Sequence, residues 1–255
     1  MKIKNVLISQ NVPVDFDKTP YADLKKKYSV NFDFYKFFKI EEVSTREFRD
    51  TKVNVLEHTA IVFSSKNTID HFFGLVQAMR LDIPETMKYF CSTEAVALYL
   101  QKYITFRKRK IFFDKSGTKE ALFDLLLKNK ELKYLVPCGA DSLGGMCIDF
   151  FKEHEMEYTQ AVVFKNIPSD LKNDVDLSKY DMIVFFSPSG IASLKYNFPD
   201  FQQGEELAFG ALGSSTIAAI EAEGWQVHAA APTKEAPSIT VALDIFFKDH
   251  ATKRR

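Results

Sequence analysis

Serine and threonine side chains gather in short turns that follow apolar runs of this 255-residue chain. The clearest turn, Ser187-Pro188-Ser189-Gly190, ends an apolar run over 182–186 and precedes apolar residues at helical spacing from Ile191. This order predicts a buried parallel strand, a turn and a helix. Hydroxyl and free backbone N–H groups at a helix amino end can hold an anion without a lysine or a metal, and open α/β sheets bind ligands at such turns.

A second copy of this pattern lies 122 positions earlier (187 − 65 = 122). There the apolar run 60–63 precedes Ser65-Lys66-Asn67, so that Ser65 is in register with Ser187. At the same offset, Cys91-Ser92-Thr93-Glu94 falls on Gly213-Ser214-Ser215-Thr216. Two registers that share one offset predict two similar α/β units.

Each polar turn has two interpretations. Ser and Thr commonly cap helices, and capping alone explains any single turn. Several such turns on two units, all at strand carboxyl ends, favour a ligand with many negative charges that lies between two domains. The sequence leaves both interpretations open.

The composition limits the classes of function. A chain of this length, with 46% hydrophobic residues and 24 Phe, suits two domains of about 125 residues that each bury a core.

The charges of the chain balance, with 34 basic and 34 acidic residues, which disfavours binding of nucleic acid or membrane through an overall electrostatic field. We interpret the basic run 107–110 as a solvated flank. Three cysteines without a CxxC motif predict reduced thiols in a cytosolic protein, with Cys91 and Cys147 as small buried hydrophobes. No apolar run approaches a membrane span, so we expect a soluble, untargeted protein.

Several catalytic and cofactor motifs are absent. No GxGxxG follows a strand and there is no GxxxxGK[ST], which disfavours dinucleotide and P-loop binding. The five histidines show no metal-ligand spacing, so we expect no metal. Without a GxSxG elbow, Ser187 and Ser189 are binding groups rather than nucleophiles.

Two extended segments rich in aromatic or β-branched residues lie between the α/β series, over 30–40 and 158–164. We interpret them as candidate linkers between domains. Helix starts are predicted at Thr19-Pro20, at the capping box from Ser44, and after Thr118, and a helix is predicted over 146–153.

The order and spacing of these motifs resemble the uroporphyrinogen-III synthase family over essentially the whole chain. The resemblance is carried by Val184 to Gly190 and by Gly213-Ser214-Ser215-Thr216 followed by Gly224-Trp225. Further positions similar to the family are 61–67, Pro137-Cys138-Gly139, and the stretch from Ala231-Pro232 to Ser238.

The resemblance implies two flavodoxin-like domains, each a doubly wound parallel sheet, joined by a two-stranded β connector and facing each other across a cleft. Domain one is then discontinuous, with residues 1–35 and 167–255, domain two is 41–160, and the connector is 36–40 and 161–166. Three positions depart from the family pattern. Phe164 stands where the family often has a tyrosine, Glu94 replaces an expected threonine, and Ser9-Gln10 lacks a frequent arginine.

The implied function is a cofactor-independent cyclising lyase of haem biosynthesis. Such an enzyme closes hydroxymethylbilane, a linear tetrapyrrole polycarboxylate, to uroporphyrinogen III with loss of water and inversion of ring D. We expect a cytoplasmic monomer that binds neither nucleic acid nor membrane, with Thr216 in a positioning role at the catalytic centre. The rival hypothesis is a two-domain anion-binding or sensor protein without chemistry. The predicted substrate-binding residues are Ser65, Lys66, Asn67, Ser92, Cys138, Gly139, Ser187, Pro188, Ser189, Gly190, Ser214, Ser215, Thr216 and Ser238.

Overall fold

A computed structural model describes residues 2–107, 109–142 and 147–250. The strands are β1 (Asn5–Ile8), β2 (Asn31–Phe34), β3 (Phe38–Glu42), β4 (Ala60–Phe63), β5 (Lys88–Cys91), β6 (Ile111–Phe112), β7 (Tyr134–Gly139), β8 (Tyr158–Pro168), β9 (Met182–Phe185), β10 (Ala208–Leu212) and β11 (Ala229–Ala231). The helices are α1 (Pro20–Tyr28), α2 (Thr45–Asp50), α3 (Lys66–Ala78), α4 (Glu94–Tyr99), α5 (Lys119–Leu127), α6 (Ile148–Glu153), α7 (Leu171–Asp174), α8 (Pro188–Asn197), α9 (Ser214–Ala222) and α10 (Ile239–His250). The chain divides into two compact units, residues 1–39 with 167–255, and residues 40–166.

The first unit contains a parallel sheet in the order β2-β1-β9-β10-β11. Counted along the unit, this is 2-1-3-4-5, the flavodoxin order. Alternate strand residues enter different cores, because successive side chains point to opposite faces. Val6 and Ile8 pack in a cluster with α1 and α10, whereas Leu7 packs in a cluster with α7, α8 and α9. The sheet is therefore covered on both faces.

The second unit contains the sheet β3-β8-β7-β4-β5-β6, in which the pairs from β8 to β6 are parallel. With β4 to β8 numbered 1 to 5 along the chain, the parallel strands β6-β5-β4-β7-β8 have the order 3-2-1-4-5, which differs from the flavodoxin order of the first unit. The difference arises because β5 and β6 both extend on one side of β4, while β7 and β8 return to the other side. The predicted class, α/β with two doubly wound parallel sheets, is confirmed. β3 and β8 are neighbours at the edge, and both run across the boundaries between the two units.

The predicted repeat holds for one strand and turn and then changes register. β4 and β9 keep the offset of 122, as do Ser65 and Ser187, the residues that precede α3 and α8. The next helices break it, because α4 begins at Glu94 whereas α9 begins at Ser214, two residues before the repeat position of Glu94. Gly213 has φ +92°, a conformation that favours glycine and lets α9 start directly after β10. Glu94 thus lies at the first position of α4, where a negative charge is stabilising.

The aromatic segment over 30–40 divides between the two sheets, since β2 pairs with β1 and β3 lies beside β8. Phe37, between them, is fully buried against Phe185 in the first unit. The predicted helix starts at Pro20, at the Ser44 capping box and after the Thr118 cap are confirmed. The helix predicted over 146–153 is α6, and Met146 lies outside the described residues. No helix in the described ranges combines the length and the apolar character that a bilayer crossing requires.

Candidate functional site

The strand order of the first unit reverses between β1 and β9, because β1 connects to β2 on one side and β9 to β10 on the other. Such a reversal leaves a crevice at the carboxyl ends of the two strands. A cavity of about 360 Å³ lies there, within the size range of small-molecule sites. Its lining is Ser9, Gln10, Asn11, Lys36, Phe38, Phe186 and Ser187.

The turn after β9 supplies this cavity with a hydroxyl group. Ser187 has extended N-cap dihedral angles, yet its side chain makes no capping hydrogen bond to α8. Pro188 is exposed at the first turn, whereas Gly190 is buried. A Cβ atom on Gly190 would lie 3.3 Å from Phe185 Cδ1 and 3.7 Å from Ser9 Oγ. The glycine therefore allows α8 to start close to the turn that follows β1.

The turn after β10 presents two of its three hydroxyl side chains. Ser214 and Ser215, the first two residues of α9, are exposed. Thr216 is only 1% exposed, and its N–H donates to the Gly213 carbonyl at 3.1 Å. Ser238 is further along the chain and accepts a hydrogen bond from Val241 N–H, so it caps α10 as predicted.

The corresponding turn of the second unit is organised differently. The Ser65 hydroxyl accepts from Thr68 N–H at 3.2 Å and lies 2.8 Å from Thr68 Oγ1, which makes Ser65 a true N-cap of α3. Lys66 and Asn67 are exposed in the first turn, and Lys66 Nζ lies 5.4 Å from the centroid of the Tyr99 ring. The Ser92 hydroxyl donates to the Ser64 carbonyl at 2.9 Å and ties two neighbouring turns together.

The strand order of the second unit reverses between β4 and β7, and a smaller cavity of about 60 Å³ lies there. Ser64, Ser92, Cys138 and Gln160 line it together with apolar side chains. Burial raises the pKa of the Cys138 thiol to about 11, so this group is a protonated thiol at neutral pH. The Gln160 side-chain nitrogen is buried and has no hydrogen-bond partner among the described residues.

Gly139 has a packing role beside this cavity. It pairs with Phe164 across a β-bulge, and a Cβ atom on Gly139 would lie 2.5 Å from Phe164 Cε2. The ring of Phe164 therefore occupies the space that any other side chain at 139 would need. The Phe164 ring also lies beside the His71 ring, at a centroid distance of 5.1 Å.

Few of the predicted residues share a cavity. Ser187 lines the larger cavity, Ser92 and Cys138 line the smaller, and the other predicted positions lie at helix starts or strand ends outside both linings. Sequence reasoning missed Ser9, Asn11, Lys36, Phe38, Phe186, Ser64 and Gln160. Ser9-Gln10-Asn11 follows an apolar strand, as the recognised turns do, and that signal was available. Lys36 and Gln160 carry no such signal.

The other sequence expectations have structural counterparts. Cys91, Cys138 and Cys147 are buried free thiols, as expected for Cys91 and Cys147. In the basic run, Arg107 lies 3.1 Å from Glu85 and Lys110 lies 3.9 Å from the same carboxylate, while Lys108 lies outside the described residues. Within the described ranges, no three His, Cys, Asp or Glu side chains form a group that could hold a metal ion.

A family model described as uroporphyrinogen-III synthase HemD matches residues 21–240, well over half of the chain. The chain belongs to the uroporphyrinogen-III synthase family. The resemblance stated from the sequence is thereby confirmed, and a cyclising lyase of haem biosynthesis that works without a cofactor is favoured over an anion-binding sensor. Comparison with curated protein sequences gave no match.

Solved structures of the same family share the fold. A mutant uroporphyrinogen III synthase from the extremely thermophilic bacterium Thermus thermophilus is 14% identical with a TM-score of 0.60, and the alignment covers 96% of this chain and 98% of that chain. The uroporphyrinogen-III synthetase from Helicobacter pylori is 17% identical with a TM-score of 0.59, covering 96% and 99%. At these identities the likeness shows the fold alone.

Proposed function

We propose that this chain converts hydroxymethylbilane to uroporphyrinogen III by positioning the substrate rather than by a nucleophile or a metal. The observation that carries the proposal is that hydroxyl-bearing turns and helix amino ends follow the strands at the order reversal of each unit. Such ends attract carboxylates through free N–H groups and the helix dipole. A polycarboxylate chain that is held by its carboxylates at several such turns would be restrained along much of its length.

In the reaction, the C–O bond of the terminal hydroxymethyl group breaks and a protonated hydroxyl departs as water. The resulting cationic carbon forms a C–C bond to the α-carbon of ring D that already carries the bridge from ring C. Inversion of ring D requires that this older bridge bond then break and that the freed, cationic bridge carbon bond to the other α-carbon of ring D, which loses its proton. The protein's task is to hold the reacting atoms in the one arrangement that gives this bond, and to exclude spontaneous closure to the type I isomer.

The residues proposed for substrate binding divide by their contacts. No side-chain hydrogen bond caps the start of α8 or α9 in the described part of the chain. The hydroxyl groups of Ser187, Ser214 and Ser215 can therefore donate hydrogen bonds to carboxylates. Ser65 and Ser238 already cap helices. Thr216 is buried, and we propose that it positions the α9 start.

An isomer assay tests the proposal. The protein is incubated with hydroxymethylbilane, the product is oxidised to the porphyrin, and the isomers are separated by chromatography. We expect the type III isomer in excess over a protein-free control. If only type I forms, at the uncatalysed rate, the anion-binding or sensor hypothesis replaces the enzyme.

We also propose that the protein acts as a cytoplasmic monomer. Segments 36–40 and 161–166 then connect domain one, which consists of 1–35 and 167–255, with domain two, which consists of 41–160. Support comes from the reduced cysteines and from β3 and β8, which run across the unit boundaries. Sedimentation velocity tests the monomer. Limited proteolysis tests the domain division, and stable fragments whose ends fall inside 41–160 rather than near these segments would count against it.

A further inference from the structure

The larger cavity of the first unit has the lining of an acid-bearing ring site. Phe38 and Phe186 give it apolar surface, and Ser9, Asn11 and Ser187 give it hydrogen-bonding groups. Lys36 is the cationic side chain of the described lining, which contains no carboxylate. A planar apolar ring with a negatively charged substituent fits this combination better than a sugar or a free metal ion would.

The backbone that carries Lys36 is held firmly on both sides. The Ser169 hydroxyl donates to the Lys36 carbonyl at 2.7 Å. The next carbonyl, that of Phe37, accepts from Ser169 N–H at 2.8 Å and also from the Ser193 hydroxyl. Because the Phe37 ring is fully buried against Phe185, the Lys36 main chain is fixed and only its side chain has freedom.

The Lys36 ammonium has no carboxylate partner in the described part of the chain. The ion pairs found there use other lysines, such as Lys27, Lys102 and Lys165. Lys36 Nζ lies 5.9 Å from the centroid of the Phe38 ring, near the limit at which a cation and an aromatic face attract. A half-buried cation beside an apolar surface is a stronger partner for a carboxylate than one in bulk water.

We propose that Lys36 binds a carboxylate of the linear tetrapyrrole, and that one pyrrole ring of that substrate occupies the cavity against Phe38 and Phe186. This inference rests on the proposed function. It assigns the cationic contact of the first unit to a residue that follows the edge strand β2 rather than to a residue after β1, where Ser9-Gln10 offers no charge. Lys36 is a binding residue and takes no part in bond making.

The test compares two variants with the same change of charge. Lys36→Met removes the cation from the cavity, and Lys39→Met removes an exposed lysine three residues along that lies outside the cavity lining. We expect Lys36→Met to raise KM for hydroxymethylbilane by about 10-fold, the size of a lost hydrogen bond to a charged group, with kcat within about 2-fold. Lys39→Met should keep the wild-type KM, and Lys36→Arg should restore most of the affinity.

A binding experiment separates this inference from the proposed function. Uroporphyrin III, a stable octacarboxylate, is titrated by fluorescence into the wild-type protein and both Met variants. Weaker binding in Lys36→Met alone supports the carboxylate contact, even if the isomer assay shows no catalysis and the proposed function fails. If Lys36→Met and Lys39→Met match the wild type in KM and in uroporphyrin binding, the contact does not exist, and the isomer assay then decides separately whether the protein is a synthase. Thermal unfolding checks folding, and Lys36→Gln with Lys39→Gln replaces the Met pair if either Met variant unfolds.

Discussion

Ser65 and Ser187 occupy the same repeat position but make different contacts, and this difference gives a matched pair of substitutions. Ser65 Oγ accepts from Thr68 N–H and lies 2.8 Å from the Thr68 hydroxyl, whereas Ser187 Oγ does not cap its helix. Ser65→Ala should therefore act on stability. Ser187→Ala should act on substrate affinity.

The magnitudes follow from these contacts. Loss of an N-cap costs about 0.5–2 kcal/mol, and because Thr68 is only 2% exposed, its stranded hydrogen-bonding groups place Ser65→Ala at about 1–2 kcal/mol. That corresponds to a drop in Tm of roughly 3–8 °C for a unit of this size. Ser187→Ala should change the free energy of unfolding by no more than about 0.5 kcal/mol relative to the wild type. If Ser187 binds substrate, its loss should lower kcat/KM about 2- to 12-fold, which is about 0.5–1.5 kcal/mol.

Thermal unfolding followed by circular dichroism and the hydroxymethylbilane assay, run on both variants, check this crossed pattern. Equal drops in Tm would show that Ser187 also caps its helix in solution. Unchanged kcat/KM in Ser187→Ala would remove this hydroxyl from the substrate site.

Three further predictions concern single positions. Gly139→Ala should destabilise the fold by about 1–3 kcal/mol, because the added Cβ atom would overlap the Phe164 ring. In a double-mutant cycle of Tm values, adding Phe164→Leu should recover part of that loss. Purely additive effects of the two substitutions would show that the overlap does not occur. Thr216→Ala should lower kcat/KM about 2- to 30-fold through loss of a positioning hydroxyl, and a loss beyond about a thousandfold in a folded protein would make Thr216 a chemical participant. Burial opposes ionisation of Asp70, but hydrogen bonds from Tyr103, Lys102 and Tyr99 outweigh this effect and lower the pKa of Asp70. The contribution of Asp70 to the stability of the fold is therefore present above the unfolded pKa of about 3.9, and it is lost as pH falls through the folded pKa. Asp70→Asn should therefore lower the free energy of unfolding at pH 7 by about 1 kcal/mol after allowance for partial exposure. This would appear as a lower Tm at pH 7, and a Tm difference that persists undiminished at about pH 3 would contradict the prediction.

Much of the fold was predictable because the signals are local. The capping box at Ser44, the cap at Thr118 and proline at the start of α1 depend on residues within one turn of each other, and the structure has all three. The same applies to β4 and β9, whose continuous apolar runs are typical of strands buried on both faces. Polar turns at strand ends could therefore be placed from the sequence by themselves.

The sequence alone determined the α/β class, the repeat at Ser65 and Ser187, and the family. Only the tertiary structure decided the strand order of the second unit, because which side of β4 receives β7 depends on packing between distant segments. It likewise decided that Ser65 caps its helix while Ser187 leaves its hydroxyl uncommitted, and that Phe164 fills the space over Gly139. Lys36 reaches the cavity because Ser169 and Ser193, more than 130 positions away, fix the backbone around it. No local pattern can encode contacts of that separation, since they exist only after the sheet has formed.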